Sequence, residues 1–238
     1  MKKSLKLTGM MLALVMVLVL ALAGCGVKDT DPANAAYITL SVEAELGKAK
    51  DGSLIAAKAL EIPAEGTTVG EVIKAVHANW FADGEAGFAT AKTEWGDSIT
   101  KLWGIENGGS YGYYVNSAMS MGLTDPVKPG DRVDIMVYKD AKNFSDVYIT
   151  LDAQAAGDKV TVTVQYMGFD ANWNAKLQPL KGCKICYIGS KGNIVDTGTV
   201  TGDDGTATIT LKNGIYRIVG IDTDAIYSVT AQKITVKK

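Results

Sequence analysis

Between Ser110 and Tyr138 the sequence joins a run of tyrosines, a turn and a clean alternation, and this stretch narrows the fold most. Val133, Ile135 and Val137 alternate with Arg132, Asp134 and Met136, the period of two expected of a half-buried strand. Pro129-Gly130-Asp131 just before it is turn chemistry. Proline fixes φ, glycine permits positive φ, and aspartate bonds the backbone two residues on. Tyr111, Tyr113 and Val115 should share one strand face, with Tyr114 and Asn116 on the other. One core position does not need so much tyrosine. The stretch builds either a core or a binding surface.

The amino terminus reads as a targeting signal. Lys2, Lys3 and Lys6 precede an apolar run of 14 residues, Met10 to Ala23, which is short of the about 20 a membrane-spanning helix needs. That is the pattern of a secretory signal peptide over residues 1–24. Leu22-Ala23-Gly24-Cys25 at its end resembles the lipobox of bacterial lipoproteins. The resemblance implies cleavage before Cys25, diacylglycerol on its sulfur and a protein anchored by lipid to the extracytoplasmic face of the cell membrane. Residues 25–36 would be the lipidated end and a short polar tether. Without residues 1–24 the chain keeps 21 basic residues (24 less Lys2, Lys3 and Lys6) against 26 acidic ones, a formal charge of −5. No basic patch argues for nucleic acid, and the charge offers anionic lipid no attraction.

Cys183 and Cys186 form a Cys-x-x-Cys. Zinc needs two further ligands, and the one histidine, His77, is distant in sequence. A thioredoxin-like site wants the motif opening a helix, whereas residues 182–188 read as a strand. Buried structural thiols, a local disulfide with a bulge, and a metal or redox role all remain open, the first favoured.

The chain then reads as strand, strand, helix, strand, strand, strand. Ile38, Leu40, Val42 and Ala44 alternate with polar residues; residues 50–53 are a turn, and residues 54–62 return as a second strand. Thr68 and Glu71 form a capping box. Val69, Val72, Ile73, Val76 and Trp80 follow at helical spacing, with His77 a partly exposed neighbour of that stripe. Residues 82–96 read as a long loop and residues 99–105 as a strand. Asn107-Gly108-Gly109 signals a hairpin into the tyrosine strand. A helix across one face of a mixed sheet, an α+β layer of the β-grasp kind, is the economical arrangement for residues 37–140. Past the polar stretch 139–146 the helical signal vanishes. About seven short strands over residues 147–238, with turns at 190–193, 202–205 and 212–214, argue for an antiparallel Ig-like β-sandwich.

Tyr113-Tyr114, Gly122-Leu123, Asp125 to Pro129, then Gly130-Asp131 and the alternating strand resemble the C-terminal domain of transcobalamin and intrinsic factor. Related domains occur in lipoproteins and surface proteins of Gram-positive bacteria, and the resemblance covers residues 37–139. In the animal carriers this domain closes over one face of the corrin, so the resemblance implies cobalamin or another corrinoid as a ligand. Residues 201–216 resemble prealbumin-like or Ig-like modules that serve bacterial surface proteins as spacers.

Two functions follow as expectations. In the first, the chain is a ligand-binding lipoprotein. Trp103, Tyr111, Tyr113, Tyr114 and Asn116, with the Met119/Met121 loop, would form an aromatic surface for a flat small ligand, since aromatic rings bury large area and methionine adapts to irregular surfaces. In the second, it is a cell-surface interaction or adhesion module for a protein or glycan, the same patch serving as a contact. Enzyme chemistry is not expected: there is no Ser-His-Asp arrangement, paired-histidine metal motif or nucleotide-binding glycine loop. Asp203-Asp204 in a glycine-bounded turn lacks a full calcium ligand set. No cofactor or metal is required by this reading.

Overall fold

The computed structural model describes residues 31–94, 96–139, 147–222 and 227–237. The signal segment, Cys25, much of the tether and the polar stretch 140–146 lie outside the described residues. Pro32–Lys238 groups as one compact unit. It is rich in β-strand and holds one α-helix among the described residues.

The first part runs β1 (Ala35–Val42), β2 (Glu45–Leu46), β3 (Lys58–Glu61), α1 (Val69–Trp80), β4 (Ala89–Thr93), β5 (Gly96–Lys101), β6 (Tyr111–Val115), β7 (Ala118–Met119) and β8 (Arg132–Val137). A mixed sheet is ordered β2-β1-β8-β6-β7, with β3 also on β1. β1 and β8 pair in parallel, Tyr37 opposite Arg132, while β6 pairs with β8 antiparallel. The capping box forms as the sequence predicts: Thr68 Oγ1 accepts from Glu71 N–H, and the Glu71 carboxylate accepts from Thr68 N–H. Val69, Val72, Ile73 and Val76 of α1 then pack against Ile38, Leu40, Val133, Ile135 and Val137 of the sheet. Each such side chain contributes about 1.5–3 kcal/mol when fully buried.

Several sequence expectations change here. His77 is fully buried, not partly exposed, because Phe81, Phe88 and Trp103 close around its ring. The returning strand shrinks to Lys58–Glu61: Ala57 adopts φ +44° and turns its N–H to Thr39 Oγ1, which breaks the pairing upstream. The expected loop at 82–96 contains β4, which pairs with β5. That ribbon is exposed almost throughout, so it carries no hydrophobic period to reveal it. The strand expected over 99–105 ends at Lys101, and Leu102–Ile105 is a tight turn with reciprocal backbone bonds of 3.0 Å. Asn107-Gly108-Gly109 makes a turn but no β5–β6 hairpin, since β6 pairs with β7 and β8 instead. The Asn107 amide donates to Ser110 O and Tyr138 O, fastening the turn to the end of β8.

The second part runs β9 (Ile149–Ala156), β10 (Lys159–Phe169), β11 (Ala175–Pro179), β12 (Lys184–Ile188), β13 (Ile194–Val200), β14 (Thr206–Thr210), β15 (Gly214–Ile221) and β16 (Thr230–Val236). β9, β11 and β14 all pair with β10, and β13-β12-β15-β16 form a second antiparallel sheet. The two share one core, in which Leu151, Val160, Val162 and Val164 meet Ile185, Ile218 and Ile234. The chain crosses between sheets at Gly205, whose φ is +73° and where a Cβ would lie 2.5 Å from Val164 O. Only glycine fits that approach. Cys183 and Cys186 are free, buried thiols; burial pushes them up to about 12 and about 11 respectively.

The two parts pack face to face. Thr39, Ser41, Asp134 and Met136, on the sheet face away from α1, are all buried. Val229 N–H donates to Ser41 Oγ and Thr230 Oγ1 to Asp134 Oδ1. The strand expected to be half-buried is therefore covered on both faces.

Candidate functional site

The seven residues expected to line an aromatic ligand surface are divided by the pleat of β6. Tyr111 and Tyr113 face α1 and pack on that core. The Tyr111 hydroxyl donates to Ile105 O at 2.7 Å, and burial raises both phenols above their ordinary range. Trp103 sits in the turn after β5 with φ +53°. Its backbone N–H donates to His77 Nε2 at 2.8 Å, and its ring centroid lies 4.8 Å from that of Phe81. His77 Nδ1 is 2.8 Å from Ile73 O, so the hydrogen bonds place the imidazole proton on Nδ1. Three of the four aromatic candidates thus pack, half-buried, against the helix-side core.

Tyr114 points the other way. It is buried against Tyr148, with ring centroids 3.6 Å apart and 5° between planes. Its hydroxyl lies 3.0 Å from that of Tyr138. Asn116, at φ +50°, opens the two-residue turn into β7. Its amide donates to Asp131 Oδ1 and its carbonyl accepts Arg132 N–H, so it shapes the turn. Met119 opposes Tyr114 across β6–β7. Met119 is 58% exposed and Met121 88%, and with the exposed Asn116 they are the candidates presented to solvent.

No local pattern singles out the charged centre of the junction. Asp134 Oδ2 accepts the Tyr148 hydroxyl at 3.0 Å and lies 3.6 Å from Arg132 Nε. Arg132 reaches Leu151 O at 2.6 Å and also donates to Ser117 Oγ and Thr150 Oγ1. Burial raises the Asp134 carboxyl, and Arg132 and the hydroxyls oppose that shift. Every partner is a protein group from one of the two packed parts, so the network joins them rather than awaiting a substrate. In the alternating pattern Asp134 reads as an outward position; only the second set of sheets makes it interior.

Two further features were not legible. An open groove of about 550 Å³ lies between residues 64–68 and 126–129. It adjoins the start of α1, but the first N–H groups of that helix are already engaged by Asp125 O, Leu123 O and Thr68, so the groove has no helix-end donors to offer an anion. At the tip of the β10–β11 hairpin, Phe169 and Trp173 stand in solvent. They fall in a turn-rich stretch with no period to assign them to a face.

Among the described residues no group of three His, Cys, Asp or Glu is placed to hold a metal ion. No helix among them is long and apolar enough to cross a membrane. Asp204 accepts Thr206 N–H and Oγ1, so it shapes its turn, and Asp203 pairs with Lys181. Compared with known proteins, the chain matches no family model, no curated protein and no solved structure.

Proposed function

We propose that this is a lipid-anchored, extracytoplasmic, non-enzymatic binding protein, held by diacylglycerol on Cys25. In this reading residues 37–140 are a β-grasp-like domain of the transcobalamin C-terminal kind and residues 147–238 an Ig-like sandwich. The interaction-module form is favoured over a corrinoid carrier. One observation carries that choice: the half-buried rings of Trp103, Tyr111 and Tyr113 pack against the helix-side core and Tyr114 is buried on the opposite face of the sheet, whereas Met119, Met121, Phe169 and Trp173 face solvent. A flat ligand needs its aromatic groups on one accessible surface, and the exposed apolar groups here sit at strand ends and in the turns beside them, as contacts for a partner do.

Fractionation and ligand titration test this. The full chain made in a lipoprotein-processing host should enter the membrane fraction and incorporate labelled fatty acid, and Cys25→Ser should do neither. Titration with cobalamin, cobinamide and haem should show no saturable absorbance change. Micromolar corrinoid binding would instead restore the carrier reading, and a soluble, unlabelled wild-type chain would remove the anchor.

A further inference from the structure

The end of β10 and the loop at residues 170–174 hold two large apolar rings away from any core. Phe169 is 58% exposed and Trp173 82%, with ring centroids 6.1 Å apart and planes 46° apart. The loop that carries them is tightly bonded. Asp170 N–H donates to Asn174 O at 2.9 Å and Trp173 N–H to Asp170 O at 3.0 Å. The Asp170 carboxylate accepts from Asn172 N–H, Asn174 N–H and the Asn174 amide, and these bonds hold it below its ordinary carboxylate range. Trp173 itself adopts φ +63°, a left-handed conformation that glycine occupies without penalty and a bulky residue does not. Closing this loop calls for glycine at position 173. An indole there is unfavourable twice over, through its backbone and through its exposure, and such outliers point to function.

Area and charge narrow what these rings meet. Two aromatic rings offer about 150–250 Å² each, well short of the about 800 Å² per partner that a stable protein interface buries. The one acid of the loop, Asp170, has its carboxylate bonded to Asn172 and Asn174 within the loop; Ala171, Asn172, Asn174 and Ala175 are uncharged and, like the rings, exposed, and the nearest cation in sequence is the exposed Lys176 at the start of β11. Rings flanked by amides suit a neutral ligand with apolar faces and hydroxylated edges. We propose that the Phe169–Trp173 tip is a saccharide-binding site. It takes a neutral oligosaccharide by stacking the C–H faces of its sugars on the two rings, with the Asn172 amide available to the hydroxyls. This rests on the binding-protein reading above and names its ligand class.

Calorimetric titration of the full chain, in a polyoxyethylene detergent, with cellohexaose, chitohexaose, maltohexaose and mannohexaose tests it. At least one should bind saturably and with little dependence on salt. Phe169→Ala and Trp173→Gly should each weaken that binding tenfold or more, while Lys176→Ala leaves it unchanged. Trp173→Gly relieves the left-handed strain, so its Tm should rise by about 2–4 °C; lost binding in a more stable protein separates contact from misfolding. Binding of none of the four sugars, or undiminished binding by Trp173→Gly, overturns the site. So does Trp173-dependent binding to phosphatidylcholine vesicles or to a cross-linked protein when no sugar is bound. Labelling of Cys25 is read independently, so a lipidated chain that ignores every sugar loses this site alone.

Discussion

Tyr114 and Tyr148 lie parallel, 3.6 Å between ring centroids, one on the sheet before residue 140 and the other entering the sheets after residue 147. Around them Met136, Tyr138 and Met167 close a small cluster at the seam. The same Tyr148 reaches Asp134 through its hydroxyl. One side chain therefore supplies both apolar and polar adhesion between the two parts.

Tyr148→Ala should cost about 3–5 kcal/mol, the range for deleting a buried aromatic side chain, and Tyr148→Phe about 1–3 kcal/mol for the lost hydroxyl bond. Urea unfolding followed by far-UV circular dichroism and by tryptophan fluorescence checks this. The two probes should coincide in the wild type and separate in Tyr148→Ala. Coincident, unshifted curves in the variant would show that the seam holds without the stack.

Asp134→Ala should destabilise by about 3–5 kcal/mol, because it leaves Arg132 partly buried beside no carboxylate. Asp134→Asn keeps an acceptor for Thr230 or Tyr148 and should cost less. The raised folded-state affinity of Asp134 for a proton gives the sign of its pH effect. The stability it contributes is full below the unfolded value of about 3.9 and is lost as pH rises through the higher folded value. Comparing the pH–stability curves of wild type and Asp134→Asn isolates this contribution: the wild type should gain stability relative to the variant as pH falls.

His77 has the opposite dependence. Burial lowers its proton affinity, and its Nε2 must stay unprotonated to accept Trp103 N–H. Below an unfolded value of about 6.5 the unfolded chain takes up the proton first. Stability from this group is therefore full above about pH 6.5 and falls as pH drops toward the lowered folded value, by at most about 1.4 kcal/mol per pH unit. Thermal melts between pH 7.5 and 5 should show this decline in the wild type, and His77→Gln should flatten it.

The thiols of Cys183 and Cys186 should resist alkylation in the native protein at pH 8. Both are buried, and burial keeps them protonated up to about 12 and about 11, so the reactive thiolate is scarce. Mass mapping after iodoacetamide treatment should find both unmodified until denaturant is added. Labelling of either within minutes under native conditions would contradict their structural role.

Much of the fold was written locally. The Thr68–Glu71 box placed the start of α1, the alternation at 132–138 placed β8, and the glycine-rich turns at 190–193 and 202–205 fell where read. These signals are legible because a period of 3.6 or 2.0 and a turn dihedral are properties of neighbouring residues. The opposite facing of Tyr114 from Tyr111 and Tyr113 was equally plain, since the strand pleat dictates it.

Tertiary structure decided what each face met. Alternation alone puts Asp134 on the polar face of its strand and Tyr114 on the face opposite Tyr111 and Tyr113, yet a second set of sheets covers both through contacts such as Val229 to Ser41, which no local pattern encodes. His77 became core because Phe88 and Trp103, distant in sequence, fold over it. The exposed β4–β5 ribbon and the Phe169–Trp173 tip left no hydrophobic period, because a period records burial and these elements are solvated. Sequence alone set where α1, β8 and several turns lie; the long-range packing of one part on the other chose which aromatic residues are core and which remain free to bind.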